Sequence, residues 1–135
     1  SDKLFFTLSR NPVIFDLWDT PTWKPGHIEI SQLARLMVIA PCTANFLGKY
    51  ANGIADDALT TSAMAYEGEV LLAPAMNTRM WRNPAVQHNC ETLRARGIHF
   101  VGPNAGRLAC GDSGEGRMAE VPEILSAVRE LLPIS

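Results

Sequence analysis

The sequence predicts an α/β fold in which a parallel sheet is covered by helices on both faces, and three observations predict it. Short apolar runs of strand length alternate along the chain with longer segments whose apolar residues recur at helical spacing. The short runs are predominantly apolar, and those at 36–40 and 70–73 are apolar throughout, which is typical of strands buried on both faces of a sheet. Two of them are followed directly by a proline, Pro41 and Pro74, which is expected to end the strand.

The boundaries of the elements follow from where these patterns begin and end. The predicted strands are residues 13–17, 36–40, 70–73 and 98–101. The predicted helices are residues 27–35, 43–52, 56–66 and 84–96, with the end of a helix at 4–10 and a last helix over about 122–132. Gly97 is expected to end the helix before it. Pro122 suits the first turn of the last helix, where its missing N–H is not needed.

Size and composition bound the class of protein. The 135 residues suit one domain with a single core, and 47% apolar with 19% charged residues is ordinary for a globular protein. The net charge is −2 and basic residues are not clustered, which excludes the basic face of a nucleic-acid-binding protein. No apolar stretch approaches the roughly 20 residues that span a bilayer. We therefore expect neither nucleic acid nor a membrane as partner.

Cysteine usage indicates a reducing compartment. Cys42, Cys90 and Cys110 are far apart and form no CxxC pair. An odd number of scattered cysteines is not a disulfide framework, so we expect a cytoplasmic location. The histidines show no metal-ligand spacing with the cysteines, and no metal site is expected.

Two similar turns follow two of the predicted strands. Residues 40–45 read Ala-Pro-Cys-Thr-Ala-Asn, and residues 73–77 read Ala-Pro-Ala-Met-Asn. Ligands of open parallel sheets bind at the carboxyl ends of the strands, so turns on neighbouring strands would form a slot suited to a flat polar ring. The amide of Asn77 can both donate and accept hydrogen bonds there. The alternative is that each asparagine only caps its helix.

Two further segments carry reactive side chains. His27 follows a glycine at the start of a predicted helix, where the positive helix end favours a neutral imidazole that can accept a proton; the alternative is a cap or surface residue. Residues 107–118 contain three glycines within six positions, and we expect a mobile flap that closes over a substrate. Cys110 lies in this flap, where a thiol has no packing reason, so it is a candidate proton donor or nucleophile.

Together these motifs resemble the flavin-dependent cysteine decarboxylases. The resemblance rests on Gly-His-Ile-Glu around His27, on residues 40–45, on Gly-Ile-Ala-Asp-Asp at 53–57, on Pro-Ala-Met-Asn-Thr-x-Met-Trp at 74–81 and on Leu-Ala-Cys-Gly-Asp-x-Gly-x-Gly-Arg-Met-Ala-Glu at 108–120. It implies a Rossmann-like (flavodoxin-like) three-layer subunit that binds FMN. The chain lacks the family's opening strand and its phosphate loop, so residues 1–135 are expected to form a partial domain without its N-terminal third.

The resemblance also implies roles for individual residues. His27 would act as the base in substrate oxidation, Asn77 would bind the substrate carboxylate, and Cys110 would protonate the enethiol intermediate. The implied FMN contacts are Thr43, Ala44, Asn45, Phe46, Ala75 and Met76. The implied substrate contacts, besides Asn77, are Met80, Ala109, Gly111, Arg117 and Met118.

The implied reaction is the decarboxylation of 4'-phosphopantothenoylcysteine to 4'-phosphopantetheine in coenzyme A biosynthesis. The implied assembly is a homotrimer or dodecamer with its active site at a subunit interface, and a fused phosphopantothenate-cysteine ligase domain in some relatives. Two alternatives remain: an oxidative peptidyl-cysteine decarboxylase, which stops at the enethiol and needs no proton donor, and a non-catalytic flavoprotein regulatory or assembly subunit.

Overall fold

A computed structural model describes residues 13–16, 36–107 and 113–132. Within these ranges the strands are β1 (Val13–Asp16), β2 (Leu36–Cys42), β3 (Glu69–Pro74), β4 (His99–Phe100), β5 (Asn104–Arg107) and β6 (Ser113–Arg117). The helices are α1 (Ala44–Ala51), α2 (Ala58–Ala65), α3 (Thr78–Arg82), α4 (Pro84–Ala95) and α5 (Val121–Leu131). The helices predicted over 4–10 and 27–35 fall outside the described residues.

The main sheet has the strand order β1-β2-β3-β4. β2, β3 and β4 are parallel, with Val38 opposite Leu71 and Leu72 opposite Phe100, as the sequence predicted. β1 differs, because it pairs with β2 in the antiparallel direction. A run of apolar residues identifies a strand but carries no information on its direction, and antiparallel edge strands are common on otherwise parallel sheets.

Helices cover both faces of this sheet, and the side chains of β2 alternate between them. Met37 and Ile39 face a core formed with Leu47 of α1 and with Cys90 and Leu93 of α4. On the other face, a second cluster joins β2 and β3 to α5; its buried members include Leu36, Val38, Leu71, Ile124 and Val128. The predicted three-layer arrangement is therefore confirmed for the described residues.

Local signals fix the ends of the helices. Asp57 caps α2 in a capping box with Thr60, and Asn83 caps α4 with Pro84 in its first turn. Gly97 directly follows Arg96, the C-cap residue of α4, and has φ +90°, which confirms its predicted role as helix terminator. Pro122 lies in the first turn of α5, also as predicted.

Three features differ from the sequence-based expectation. β2 continues through Pro41 to Cys42, because the pairing with β3 shifts register between Ile39 and Cys42 and the proline is not required to donate there. The short helix α3 was not predicted as an element. The segment expected to be a mobile flap contains β6, which pairs with β5 in an antiparallel hairpin; the loop 108–112 between them lies outside the described residues.

Candidate functional site

The carboxyl ends of β2 and β3 lie side by side and carry the two asparagine-containing turns. Cys42 is opposite Pro74, and the N–H of Ala75 donates to the carbonyl oxygen of Cys42 at 3.0 Å. The two strands therefore remain joined up to the point where the turns leave the sheet. This confirms that the turns lie on neighbouring strands, as the sequence predicted.

The first turn begins α1. The hydroxyl of Thr43 accepts the N–H of Phe46 at 3.1 Å and caps the helix. Phe46 is buried in the core, with its ring centroid 5.2 Å from that of Tyr50. Asn45 is exposed and Ala44 is half-buried. Of the four predicted cofactor contacts in this turn, Asn45 therefore presents a polar side chain to solvent, whereas the Phe46 side chain belongs to the core.

The second turn begins α3, and Asn77 caps it. The side-chain oxygen of Asn77 accepts the N–H of Arg79 at 2.7 Å, so the helix-cap interpretation is confirmed. The residue is exposed, and its side-chain NH₂ has no hydrogen-bond partner among the described residues. A cap that engages the oxygen fixes the orientation of the amide and leaves two donors for an anionic ligand. Capping and carboxylate binding are therefore compatible at Asn77.

The β5–β6 hairpin packs on this second turn. The N–H of Met76 donates to the carbonyl oxygen of Gly116 at 2.9 Å, and the Thr78 hydroxyl donates to the carbonyl oxygen of Glu115 at 2.5 Å. The hairpin register shifts between Asn104 and Ala105, so Gly116 is the extra residue of a bulge. A bulged residue is free of the ladder, and its carbonyl can bond elsewhere.

Close backbone approach explains two of the three glycines that suggested a mobile flap. A Cβ at Gly116, where φ is +120°, would collide with the carbonyl oxygen of Met76. A Cβ at Gly114 would lie 2.8 Å from the Thr78 hydroxyl oxygen. These contacts were missed from the sequence. The signal was present, because glycine inside a strand often marks a bulge or the close approach of another segment.

The remaining predicted substrate contacts do not all lie beside Asn77. Met80 is 48% exposed on α3, next to the Asn77 turn. Arg117 donates from Nη1 to Glu120 at 2.7 Å, and Met118 packs against the core on the α5 face. His27, Ala109, Cys110 and Gly111 lie outside the described residues.

The buried thiol at this edge is not part of the exposed site. Burial raises the pKa of Cys42 well above its usual value, and the nearby Cys90 raises it further. Both cysteines are free and fully buried. In the described part of the chain no three acidic, histidine or cysteine side chains cluster as metal ligands, and no helix there is long and apolar enough to cross a membrane.

Comparison with known proteins places this chain among flavoproteins. A family model described as Flavoprotein matches residues 2–133. The coenzyme A biosynthesis bifunctional protein CoaBC of Haemophilus influenzae is 44% identical over 105 residues, which is 78% of this chain and 26% of that protein. The chain thus spans about a quarter of the length of this relative.

Solved structures share the fold at similar identity. A cysteine-to-serine mutant of PPC decarboxylase, complexed with pantothenoylaminoethenethiol, superposes with a TM-score of 0.77 at 40% identity, covering 87% of this chain and 65% of that one. The FMN binding protein AtHal3 superposes with a TM-score of 0.70 at 43% identity, covering 84% and 62%.

Proposed function

Since this chain belongs to the Flavoprotein family, we propose that it catalyses the FMN-dependent decarboxylation of 4'-phosphopantothenoylcysteine to 4'-phosphopantetheine in coenzyme A biosynthesis. The observation that carries the proposal is the amide of Asn77, held through its oxygen at the end of β3 with its NH₂ exposed. The likeness to PPC decarboxylase supports the choice of substrate.

The two turns fit a flavin. A flat ring with a polar edge needs backbone it can approach closely and a few amide groups at its rim. Ala44 and Ala75 are half-buried and carry no side chain beyond Cβ, so they permit such an approach. Asn45 adds an exposed amide beside them. We assign these residues to the cofactor, together with Thr43, Phe46 and Met76 of the same two turns.

A carboxylate on a saturated carbon does not lose CO₂ readily, because the electron pair that remains on the carbon cannot be delocalised. FMN, when bound, would supply the redox chemistry, namely a two-electron oxidation of the cysteine end of the substrate to a thioaldehyde and a final two-electron reduction. The C=S group then lies beta to the carboxylate and takes up the electrons as CO₂ departs. This chain's residues bind the substrate, orient it and move protons.

Each proposed catalytic residue has one task. His27 accepts the proton released when the substrate is oxidised. Asn77 donates hydrogen bonds from its NH₂ to the substrate carboxylate and holds it at the sheet edge. During the final reduction, Cys110 donates a proton to the enethiol carbon next to the one that is reduced by hydride. Met80 and Arg117, with residues 109–111 and Met118, complete the substrate site.

We further propose that the protein works as a homotrimer or a dodecamer in the cytoplasm. The exposed apolar side chains of Ile54 and Met64 support self-association, since both are nearly half exposed and α2 contains no charged residue. The free, buried Cys42 and Cys90 suit a reducing compartment. The bifunctional name of the Haemophilus influenzae relative supports a fused phosphopantothenate-cysteine ligase domain.

Product analysis of a cysteine variant tests the function. We expect the intact, FMN-loaded protein to convert 4'-phosphopantothenoylcysteine to 4'-phosphopantetheine, detected by mass spectrometry, and Cys110→Ser to accumulate the oxidised enethiol instead. Cys90→Ala, which removes a buried thiol elsewhere, should give the normal product. Normal product from Cys110→Ser would contradict the proton-donor role. Enethiol from the unaltered protein would favour the oxidative peptidyl-cysteine decarboxylase alternative, and no CO₂ release would favour a non-catalytic subunit.

A further inference from the structure

Asn77 lies between two hydrogen bonds that tie its neighbours to the same strand. On one side, the N–H of Met76 donates to Gly116; on the other, the hydroxyl of Thr78 donates to Glu115 at 2.5 Å. The acceptors are consecutive carbonyl groups of β6. The backbone of Asn77 is therefore fixed from both directions by a strand that is distant in sequence.

The hydroxyl of Thr78 is directed to this long-range bond and not to its own helix. Capping of α3 is performed by Asn77, through the bond to the Arg79 N–H. Thr78 is the first residue of α3, and its hydroxyl reaches across to β6. Gly114 leaves room for it, because a Cβ there would lie 2.8 Å from the hydroxyl oxygen and 3.2 Å from the Thr78 methyl carbon.

We infer that Thr78 is a positioning residue for Asn77. Its hydrogen bond to β6 holds the Asn77 amide in the orientation that receives the substrate carboxylate. This inference rests on the proposed function of Asn77. In this assignment, one contact positions Asn77: the Thr78 hydroxyl donates to the Glu115 carbonyl, and the small residue at 114 leaves room for it. Thr78 itself contacts neither substrate nor cofactor in this assignment, because its hydroxyl is already engaged with Glu115.

Threonine offers a matched pair of substitutions for the test. Thr78→Val keeps the shape and removes the hydroxyl, whereas Thr78→Ser keeps the hydroxyl and removes only the methyl group. Loss of one hydrogen bond of ordinary strength corresponds to about a fivefold change in an equilibrium constant. In the intact, FMN-loaded protein we expect Thr78→Val to raise the KM for 4'-phosphopantothenoylcysteine about fivefold and Thr78→Ser to leave it near the original value.

Two comparisons separate positioning from a general structural effect. The product 4'-phosphopantetheine lacks the carboxylate, so its dissociation constant should not change in Thr78→Val. In an Asn77→Ala background, Thr78→Val should have no further effect on KM, since residues that act through one another are not additive. Equal weakening of substrate and product, or an undiminished effect in the Asn77→Ala background, would overturn the inference.

Hydrogen exchange gives a readout that does not depend on the reaction. The Arg79 N–H is protected by the Asn77 oxygen, so its exchange should be faster in Thr78→Val and unchanged in Thr78→Ser. Failure of the unaltered protein to decarboxylate the substrate would contradict the proposed function alone. An active protein in which Thr78→Val matches the original in both KM and Arg79 exchange would contradict the positioning role alone.

Discussion

The backbone N–H of Met76 donates to the carbonyl oxygen of Gly116 at 2.9 Å, and the Met76 carbonyl oxygen in turn lies where a side chain at position 116 would begin. The contact joins the turn at the end of β3 to the bulge of β6. It brings the substrate-binding candidate Asn77 and the β5–β6 hairpin together, although they are far apart in the sequence.

Gly116→Ala should break this contact. The added Cβ would collide with the Met76 carbonyl oxygen, and φ of +120° is unfavourable for alanine even without the collision. We expect a loss of about 2–3 kcal/mol in the free energy of unfolding, measured by urea denaturation, together with weaker substrate binding.

Gly97→Ala is the matched control for this prediction. Gly97 also has a positive φ, of +90°, but among the described residues no atom other than those of its chain neighbours lies within 4 Å of the position its Cβ would take. The control should therefore show the conformational cost alone, about 1 kcal/mol, with unchanged substrate binding. If the two variants lost equal stability, the collision at Gly116 would not matter.

Asn77→Asp should separate helix capping from carboxylate binding. Aspartate caps as well as asparagine, so we expect a melting temperature close to that of the original protein. The substituted side chain lacks the NH₂ donors and repels a carboxylate, so kcat/KM for 4'-phosphopantothenoylcysteine should fall at least about tenfold.

Asn77→Ala removes both properties at once. It should lower the stability by about 1 kcal/mol in addition to the loss of activity. An aspartate variant with near-normal kcat/KM would show that Asn77 is only a cap, and the carboxylate-binding role would then be wrong.

The carboxylate of Asp57 should make α2 sensitive to acid. Its pKa is lowered first by the hydrogen bond from the Thr60 N–H and then by that from the Thr60 hydroxyl. A lowered pKa in the folded state contributes stability above the ordinary value of 3.8, and this contribution is lost as the pH falls through the lowered value.

Asp57→Asn keeps a capping oxygen without a titrating group, so it isolates this effect. Melting temperatures of the two proteins should differ most above about pH 5 and converge as the pH falls through the lowered pKa of Asp57, because the other carboxyl groups are common to both. A difference that is independent of pH would contradict the assignment of the lowered pKa to Asp57.

The layers of the fold and the adjacent strand ends that carry the candidate site could be predicted from the sequence, because both depend on local patterns. Apolar runs marked β2 and β3, and the parallel arrangement of these strands brought their turns together. Capping by Asn77 was also readable, since asparagine before a helix is a common cap.

What could not be predicted depends on contacts between distant segments. The direction of β1 is decided by its pairing with β2, and an apolar run does not indicate the direction of a strand. The glycines of β6 suggested mobility, whereas Gly114 and Gly116 permit close packing on Thr78 and Met76. The bond from Thr78 to Glu115 has no local signature at all.

The thiols of Cys42 and Cys90 should be nearly inert in the folded protein. Burial raises the pKa of both, so at a given pH they contain less of the thiolate that reacts with alkylating agents. Labelling with iodoacetamide at about pH 8, followed by mass spectrometry of the two peptides, should be at least about tenfold slower in buffer than in urea. Since both side chains are fully enclosed, the residual rate reports opening of the core between β2 and α4.

FMN binds beside Cys42 in our proposal, and a ligand that binds only the folded state suppresses opening. Added FMN should therefore slow the labelling of Cys42 further, whereas labelling at the rate seen in urea would show that this core is open.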